Sequence, residues 1–220
     1  MPEHVTLTAR AILFDMDGTL VDSTAVVVEI WTRFARRFGL DPAVIMHSIH
    51  GVRAEDSVAR FAPAGSDVAT IVHELNSFEL ENTEGTVEIA GARDFVASLP
   101  RASVALVTSA STALAAGRLL GAGVPAPDVV VPAEHVTRGK PAPDGYLLAA
   151  QQLGVQPRDA IVFEDAEAGI LAGIAAGMRV VVVGEHRSAT TEGLPRIRDY
   201  RGAGATADAE GTITLTLPAA

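Results

Sequence analysis

The sequence predicts an α/β protein, a Rossmann-like parallel sheet interrupted after its first strand by an α-helical insertion. Three observations carry this. After Gly91, short apolar runs alternate with helical stretches, the rhythm of βαβ units with helices on both faces of a parallel sheet. The run Ala11-Ile12-Leu13-Phe14 is too short for a helix and has no polar residue, so it reads as a further buried strand of that sheet. Between the two, residues 21–87 keep a helical pattern that no strand-like run interrupts. Residues 1–20 and 88–220 are thus expected to form the core, and 21–87 the insertion. At 220 residues the chain is long enough for one large domain, or one domain carrying an insertion.

The elements follow in order. After Phe14, Asp22 or Ser23 can cap a helix bearing Val27, Ile30, Trp31, Phe34 and Phe38 at helical spacing, with Gly39 as its stop. Val58 and Phe61 fit a short helix, and Val68, Ile71, Val72, Leu75 and Phe78 another. Beyond Gly91, strands are predicted at Val104 to Val107, Val129 to Val131, Ala160 to Phe163 and Val180 to Val183. Helices are predicted at Ser111 to Leu120, at Asp144 to Leu153 closed by Gly154, and at Glu167 to Ala176 closed by Gly177. Ile213, Leu215 and Leu217 alternate with threonines, the pattern of a half-buried edge strand. Arg201 to Gly211, rich in Gly, Ala and Thr, reads as a surface loop.

Composition narrows the function. Apolar residues make up 48% and charged residues 20%, ordinary globular usage. A net charge of −10 argues against a nucleic-acid partner, because phosphate neutralisation needs clustered Lys and Arg. The absence of cysteine excludes disulfides and thiol chemistry. No signal-peptide pattern and no apolar run of about 20 residues is present, so no membrane association is expected and the expected location is cytoplasmic.

In open α/β sheets ligands bind outside the carboxyl ends of the strands, so the residues just after each strand are the candidates. Asp15 and Asp17 follow the first strand, in Asp15-Met16-Asp17-Gly18-Thr19. Two carboxylates two positions apart at the end of a buried strand suit nucleophilic catalysis, one attacking an electrophile such as phosphorus and the other managing the leaving-group proton. Gly18 lets the chain turn sharply out of the strand. Thr108 and Ser109 precede a helix start that favours an anion. Glu164 and Asp165, adjacent acids after a buried strand, crowd negative charge that a cation would offset, and magnesium, a hard ion with oxygen ligands, fits that need. Lys140 is the sole lysine among 17 basic side chains, a position where a compact ammonium is wanted and a guanidinium does not fit.

Together Asp15 to Thr19, Val107-Thr108-Ser109, Gly139-Lys140-Pro141 and Phe163-Glu164-Asp165-Ala166-Glu167-Ala168-Gly169 resemble, in order, the four motifs of the haloacid dehalogenase superfamily. The resemblance covers almost the whole chain. The place of the insertion resembles the helical cap of the phosphatase subfamily that includes β-phosphoglucomutase. The resemblance implies a Rossmann-like core with an inserted cap and a Mg²⁺-dependent phosphatase acting on small phosphate monoesters through an aspartyl-phosphate. It implies that Asp15 is the nucleophile and that Asp17 protonates the leaving alcohol and then activates water. Mg²⁺ would be held by the Asp15 carboxylate, the Asp17 backbone carbonyl and Asp165, with Glu164 nearby or acting through water. Thr108, Ser109 and Lys140 would hold the phosphoryl oxygens.

The acid at Asp17 separates the chain from the dehalogenase branch, and an insertion without lysine separates it from the phosphonate hydrolases. Ser48-Ile49-His50-Gly51-Val52-Arg53 followed by Phe61-Ala62-Pro63 resembles the sugar and polyol phosphatases, among them 2-deoxyglucose-6-phosphatase and glycerol-1-phosphatase. A small phosphorylated sugar or polyol is then the expected substrate, with His50 and Arg53 as candidate substrate contacts and His47 and His73 as surface residues. Two alternatives stand beside this reading. A β-phosphoglucomutase-type mutase would need a second phosphate grip. A phosphorylation-switch receiver module would be shorter and would lack the helical insertion.

Overall fold

The computed structural model describes residues 4–82 and 85–219; Met1 to Glu3 of the N-terminal stretch, and Thr83 and Glu84 within 21–87, lie outside the described residues. The strands are β1 (His4–Ala9), β2 (Ala11–Phe14), β3 (Val21–Asp22), β4 (Val87–Glu88), β5 (Val104–Val107), β6 (Val129–Val131), β7 (Ala160–Glu164), β8 (Arg179–Val183), β9 (Arg196–Ile197), β10 (Gly204–Ala207) and β11 (Ile213–Pro218). The α-helices are α1 (Thr24–Phe38), α2 (Pro42–Ile49), α3 (Ala54–Phe61), α4 (Val68–Glu81), α5 (Ala92–Ser98), α6 (Thr112–Ala122), α7 (Asp144–Leu153) and α8 (Glu167–Ala175).

The main sheet has the order β6-β5-β2-β7-β8-β9, with every pairing parallel. The chain builds outward from β2 through β5 to β6, then returns to the other side of β2 with β7. That reversal places a crevice at the carboxyl ends of β2, β5 and β7, where ligands bind in open α/β sheets. β2 is fully buried because its residues feed two cores. Ile12 and Phe14 join the cluster under α5 and α6, whereas Ala11 and Leu13 join the one under α7 and α8. In the first cluster Phe14 stacks on Phe163 with centroids 5.1 Å apart, and Phe95 stacks on Tyr200 at 5.2 Å. Each of these buried phenylalanine rings contributes about 1.5–3 kcal/mol by removal from water.

Helices α1–α4 enclose a core of their own, built from Trp31, Phe34, Ile45, Ile49, Val58, Ile71 and Val72. Gly39 ends α1 in the left-handed conformation, as the sequence predicts. The two chain segments that join α1–α4 to the main sheet pair with each other as β3 and β4, Val21 opposite Glu88 and Asp22 opposite Val87.

Two expectations are corrected. Ile213 to Leu217 is not an edge strand: β11 is the middle strand of a separate antiparallel sheet of order β1-β11-β10. Its apolar side is buried, as the alternation predicts, but a partner lies on each flank. One is the N-terminal β1, whose alternating exposure leaves only Ala9 fully buried. The other is β10, which lies inside the stretch read as a surface loop.

Candidate active site

Asp15 emerges from β2 between its two parallel neighbours, and its N–H donates to the Phe163 carbonyl at 3.0 Å. Its carboxylate is buried and accepts a hydrogen bond from Lys140 Nζ. The same ammonium donates to Glu164 Oε1 at 2.7 Å and to the Val107 carbonyl at 3.1 Å. Lys140 thus ties the ends of β2, β5 and β7 together. Burial opposes its charge, yet Asp15 and Glu164 outweigh burial and hold its pKa above the ordinary lysine value. Asp15 is pushed up to about 7, first by burial and then by Glu164, against the attraction of Lys140.

Glu164 has no free oxygen. Oε1 also accepts from the Tyr146 hydroxyl at 3.0 Å, and Oε2 accepts from the N–H groups of Asp165 and Ala166 at 2.9 and 3.1 Å. A Cβ on Gly169 would overlap this carboxylate, so the first turn of α8 needs glycine there. Asp165 lies over Gly18 and accepts from Thr19 Oγ1 at 3.3 Å. Gly18 has φ +79°, so a side chain there would strain the backbone and its Cβ would displace the Asp165 carboxylate. Burial, then Glu164 and Asp15, raise the Asp165 pKa well above the carboxylate range.

Asp15, Glu164 and Asp165 each offer a carboxylate oxygen within 4.8 Å of the others. Three of the four residues that the resemblance offers as metal ligands therefore lie together. An all-oxygen donor set whose charges repel one another fits a hard divalent cation. Since Glu164 is saturated by four donors, Asp15 and Asp165 are the two acids free to ligate.

The Asp17 carboxylate lies outside that trio. Oδ1 accepts from Ser23 Oγ at 2.7 Å and Oδ2 from Arg118 Nη1 at 2.5 Å. Arg118 in turn pairs with Glu79 on α4. Burial raises the Glu79 pKa more than Arg118 lowers it, as befits an acid that shares its cation with Asp17.

A cavity of about 480 Å³ lies between this rim and helices α1–α4. Asp15, Asp17, Asp165, Ser109, His50 and Arg53 all line it. Thr108 and Lys140 instead line a small recess beside it. The Thr108 hydroxyl accepts from the Ala110 N–H at 3.0 Å, and Ser109 Oγ donates to the Gly51 carbonyl at 2.8 Å. Arg53 grips Asp56 with Nε at 2.8 Å and Nη2 at 3.1 Å, while Nη1 donates to the Val136 and Thr137 carbonyls at 3.3 Å each. It therefore clasps α3 to the loop leading to Lys140. His50 ends α2, its pKa lowered by burial and then by His47.

Four participants escaped the sequence reading: Ser23, Glu79, Arg118 and Tyr146. Arg118 carried a signal, since it is the lone charged residue in the small and apolar α6, Thr112–Ala122.

A buried carboxylate at the end of a central strand, an ammonium beside it and an acidic trio at the switch point make this rim the candidate active site of an α/β protein. The sequence model of the haloacid dehalogenase-like hydrolases matches residues 9–177, and the chain belongs to that family. It is 45% identical over 178 residues to hexitol phosphatase A of Escherichia coli, covering 79% of this chain and 82% of that protein. It is 31% identical over 188 residues to glycerol-1-phosphate phosphohydrolase 1 of Saccharomyces cerevisiae, covering 80% and 75%. A crystal structure of β-phosphoglucomutase from Clostridium difficile shares the fold, with a TM-score of 0.77, 21% identity, and coverage of 88% of this chain and 92% of that one.

Proposed function

We propose that the protein is a Mg²⁺-dependent phosphatase that hydrolyses phosphate monoesters of small sugars or polyols through an aspartyl-phosphate on Asp15. The observation that carries this is the Asp15 carboxylate, buried at the switch point against Lys140 and beside Asp165. The names and identities of the relatives support the substrate class.

In the first half-reaction an Asp15 oxygen attacks phosphorus, the ester P–O bond breaks, and Asp17 supplies the proton that the departing alkoxide needs. In the second, Asp17 takes a proton from water as its oxygen attacks phosphorus, and the bond to Asp15 breaks. Lys140 and Ser109 meet the phosphoryl oxygens, and Thr108 shapes the loop that carries Ser109. Asp15, Asp165 and the Asp17 backbone carbonyl would hold Mg²⁺, which supplies charge neutralisation of the phosphoryl group. Glu164 holds Lys140 in place. Enzymes accelerate monoester hydrolysis by up to about 10²¹-fold, roughly 28 kcal/mol, so nucleophile, proton carrier, cation and metal must act together.

Residues 21–87 act as a cap over the cavity, excluding bulk water during reaction and reopening for release. His50 faces substrate, whereas Arg53 serves the cap by clasping it to the Lys140 loop. No helix among the described residues is long and apolar enough to cross a membrane, and we take the protein to work in the cytoplasm.

The test is a panel of phosphorylated sugars and polyols with Mg²⁺. Free phosphate is expected, with none from Asp15→Asn. Inertness without a bisphosphate activator, with interconversion of hexose monophosphates in its presence, would establish a mutase instead. Membership of a hydrolase family and the roofed cavity set the receiver module aside.

A further inference from the structure

We infer that Arg118 is the positioning residue for Asp17, and that through Glu79 it makes the aim of the proton carrier depend on the placement of α4. This rests on the aspartyl-phosphate reading above and adds a residue to it. Arg118 is buried in the cavity wall, with 11% of its side chain exposed, and it contacts two acids from different parts of the fold. Asp17 belongs to the turn after β2; Glu79, 8% exposed, belongs to α4. A guanidinium offers several N–H donors in a rigid plane, so it can hold both carboxylates in fixed relation. With Ser23 on Oδ1 and Arg118 on Oδ2, both oxygens of Asp17 are directed.

The chemistry explains why such a hold is useful. When Asp17 passes its proton to the ester oxygen, the P–O bond breaks, the Asp15–phosphorus bond forms, and Asp17 is left as a carboxylate. Ser23 and Arg118 hold the two oxygens of Asp17 in one orientation, so the proton is passed to the ester oxygen from a fixed place. A fixed donor or acceptor aimed at developing charge needs no rearrangement at the moment of reaction.

The experiment compares two esters on wild type, Arg118→Ala, Arg118→Lys, Asp17→Asn and the double variant Arg118→Ala with Asp17→Asn. One ester is a polyol phosphate, whose alkoxide needs a proton to depart. The other is p-nitrophenyl phosphate, whose leaving group is weakly basic and departs without one. kcat/KM reports the step up to loss of the alcohol, so water attack does not enter it. Arg118→Ala is expected to lower kcat/KM on the alkyl ester by about 100-fold, the scale of general acid–base catalysis, and on the aryl ester by less than about threefold. Arg118→Lys should restore part of the loss. In the Asp17→Asn background, removal of Arg118 should cost little more on either ester.

Equal losses on the two esters, or a full further loss in the double variant, would overturn the inference and leave Arg118 as a structural or substrate-binding residue. Thermal unfolding shows whether each variant is folded; if Arg118→Ala is not, the same cycle is run with Arg118→Lys, where the same selective, non-additive loss is expected. A wild type that cleaves p-nitrophenyl phosphate and simple alkyl phosphates but no sugar or polyol phosphate would overturn the substrate class and leave this test intact.

Discussion

Lys140 and Glu164 form a buried ion pair, Nζ to Oε1 at 2.7 Å, whose carboxylate is otherwise saturated by Tyr146 and by the N–H groups of Asp165 and Ala166. The pair fixes the ammonium against Asp15. A guanidinium would not fit between three strand ends, so Lys140→Arg should lower kcat by at least about 100-fold despite its conserved charge. Lys140→Met leaves Asp15 and Glu164 buried without their cation, and should destabilise the fold by about 3–5 kcal/mol. Steady-state kinetics and urea unfolding in EDTA check the two variants.

Gly169 separates packing from chemistry. Its missing Cβ is the space that the Glu164 carboxylate occupies. Gly169→Ala should displace that carboxylate, cost about 1–3 kcal/mol by overpacking, and misplace Lys140 at the same time. Differential scanning calorimetry and phosphate release should therefore fall together.

Asp165 and Glu164 are expected to differ in metal dependence. Asp165→Asn removes a free ligand and should raise the Mg²⁺ concentration for half-maximal activity by at least about tenfold. Glu164→Gln should lower kcat mainly by loosening Lys140, with a smaller shift in Mg²⁺ dependence. EDTA should abolish activity and added Mg²⁺ restore it. Calorimetric Mg²⁺ titration of the Asp15→Asn, Asp165→Asn and Glu164→Gln proteins reads the ligand set without turnover.

Glu167 sets an acid-limb prediction. It accepts from His186 at 2.8 Å, Ser188 at 2.6 Å and Thr190 at 2.5 Å, and the hydroxyls chiefly hold its pKa down to about 2 from 4.5. A depressed carboxyl contributes stability fully above its unfolded value and loses it as pH falls from about 4.5 towards about 2. Its exposure keeps the contribution modest. Glu167→Gln should thus unfold more readily near neutrality, with the gap to wild type closing through that window, as urea titrations in EDTA at successive pH values would record.

Particular residues show why some of this was legible in the sequence. Ala11 to Phe14 could be read because a strand buried on both faces admits no polar residue, and Asp15 directly after it then had to lie at the carboxyl edge. Lys140 stood out because one ammonium among arginines marks a place of fixed size. β1 and β10 were not legible, since their half-exposed, Thr- and Ala-rich segments gain their order from β11 rather than from their own patterns. Arg53 reads as a candidate substrate contact from its charge, and it does line the cavity, but sequence does not show the Val136 and Thr137 carbonyls that accept from its Nη1. Arg118 and Glu79 are 39 positions apart, and only the packing of α4 near α6 reveals their ion pair.

The short ladder of Val21 with Glu88 and Asp22 with Val87 has a mechanical consequence. Two separate tethers would let α1–α4 slide, twist and tilt independently over the rim. Strapped side by side, the tethers would confine any displacement of α1–α4 to a swing about one axis, which would return Glu79 to the same guanidinium.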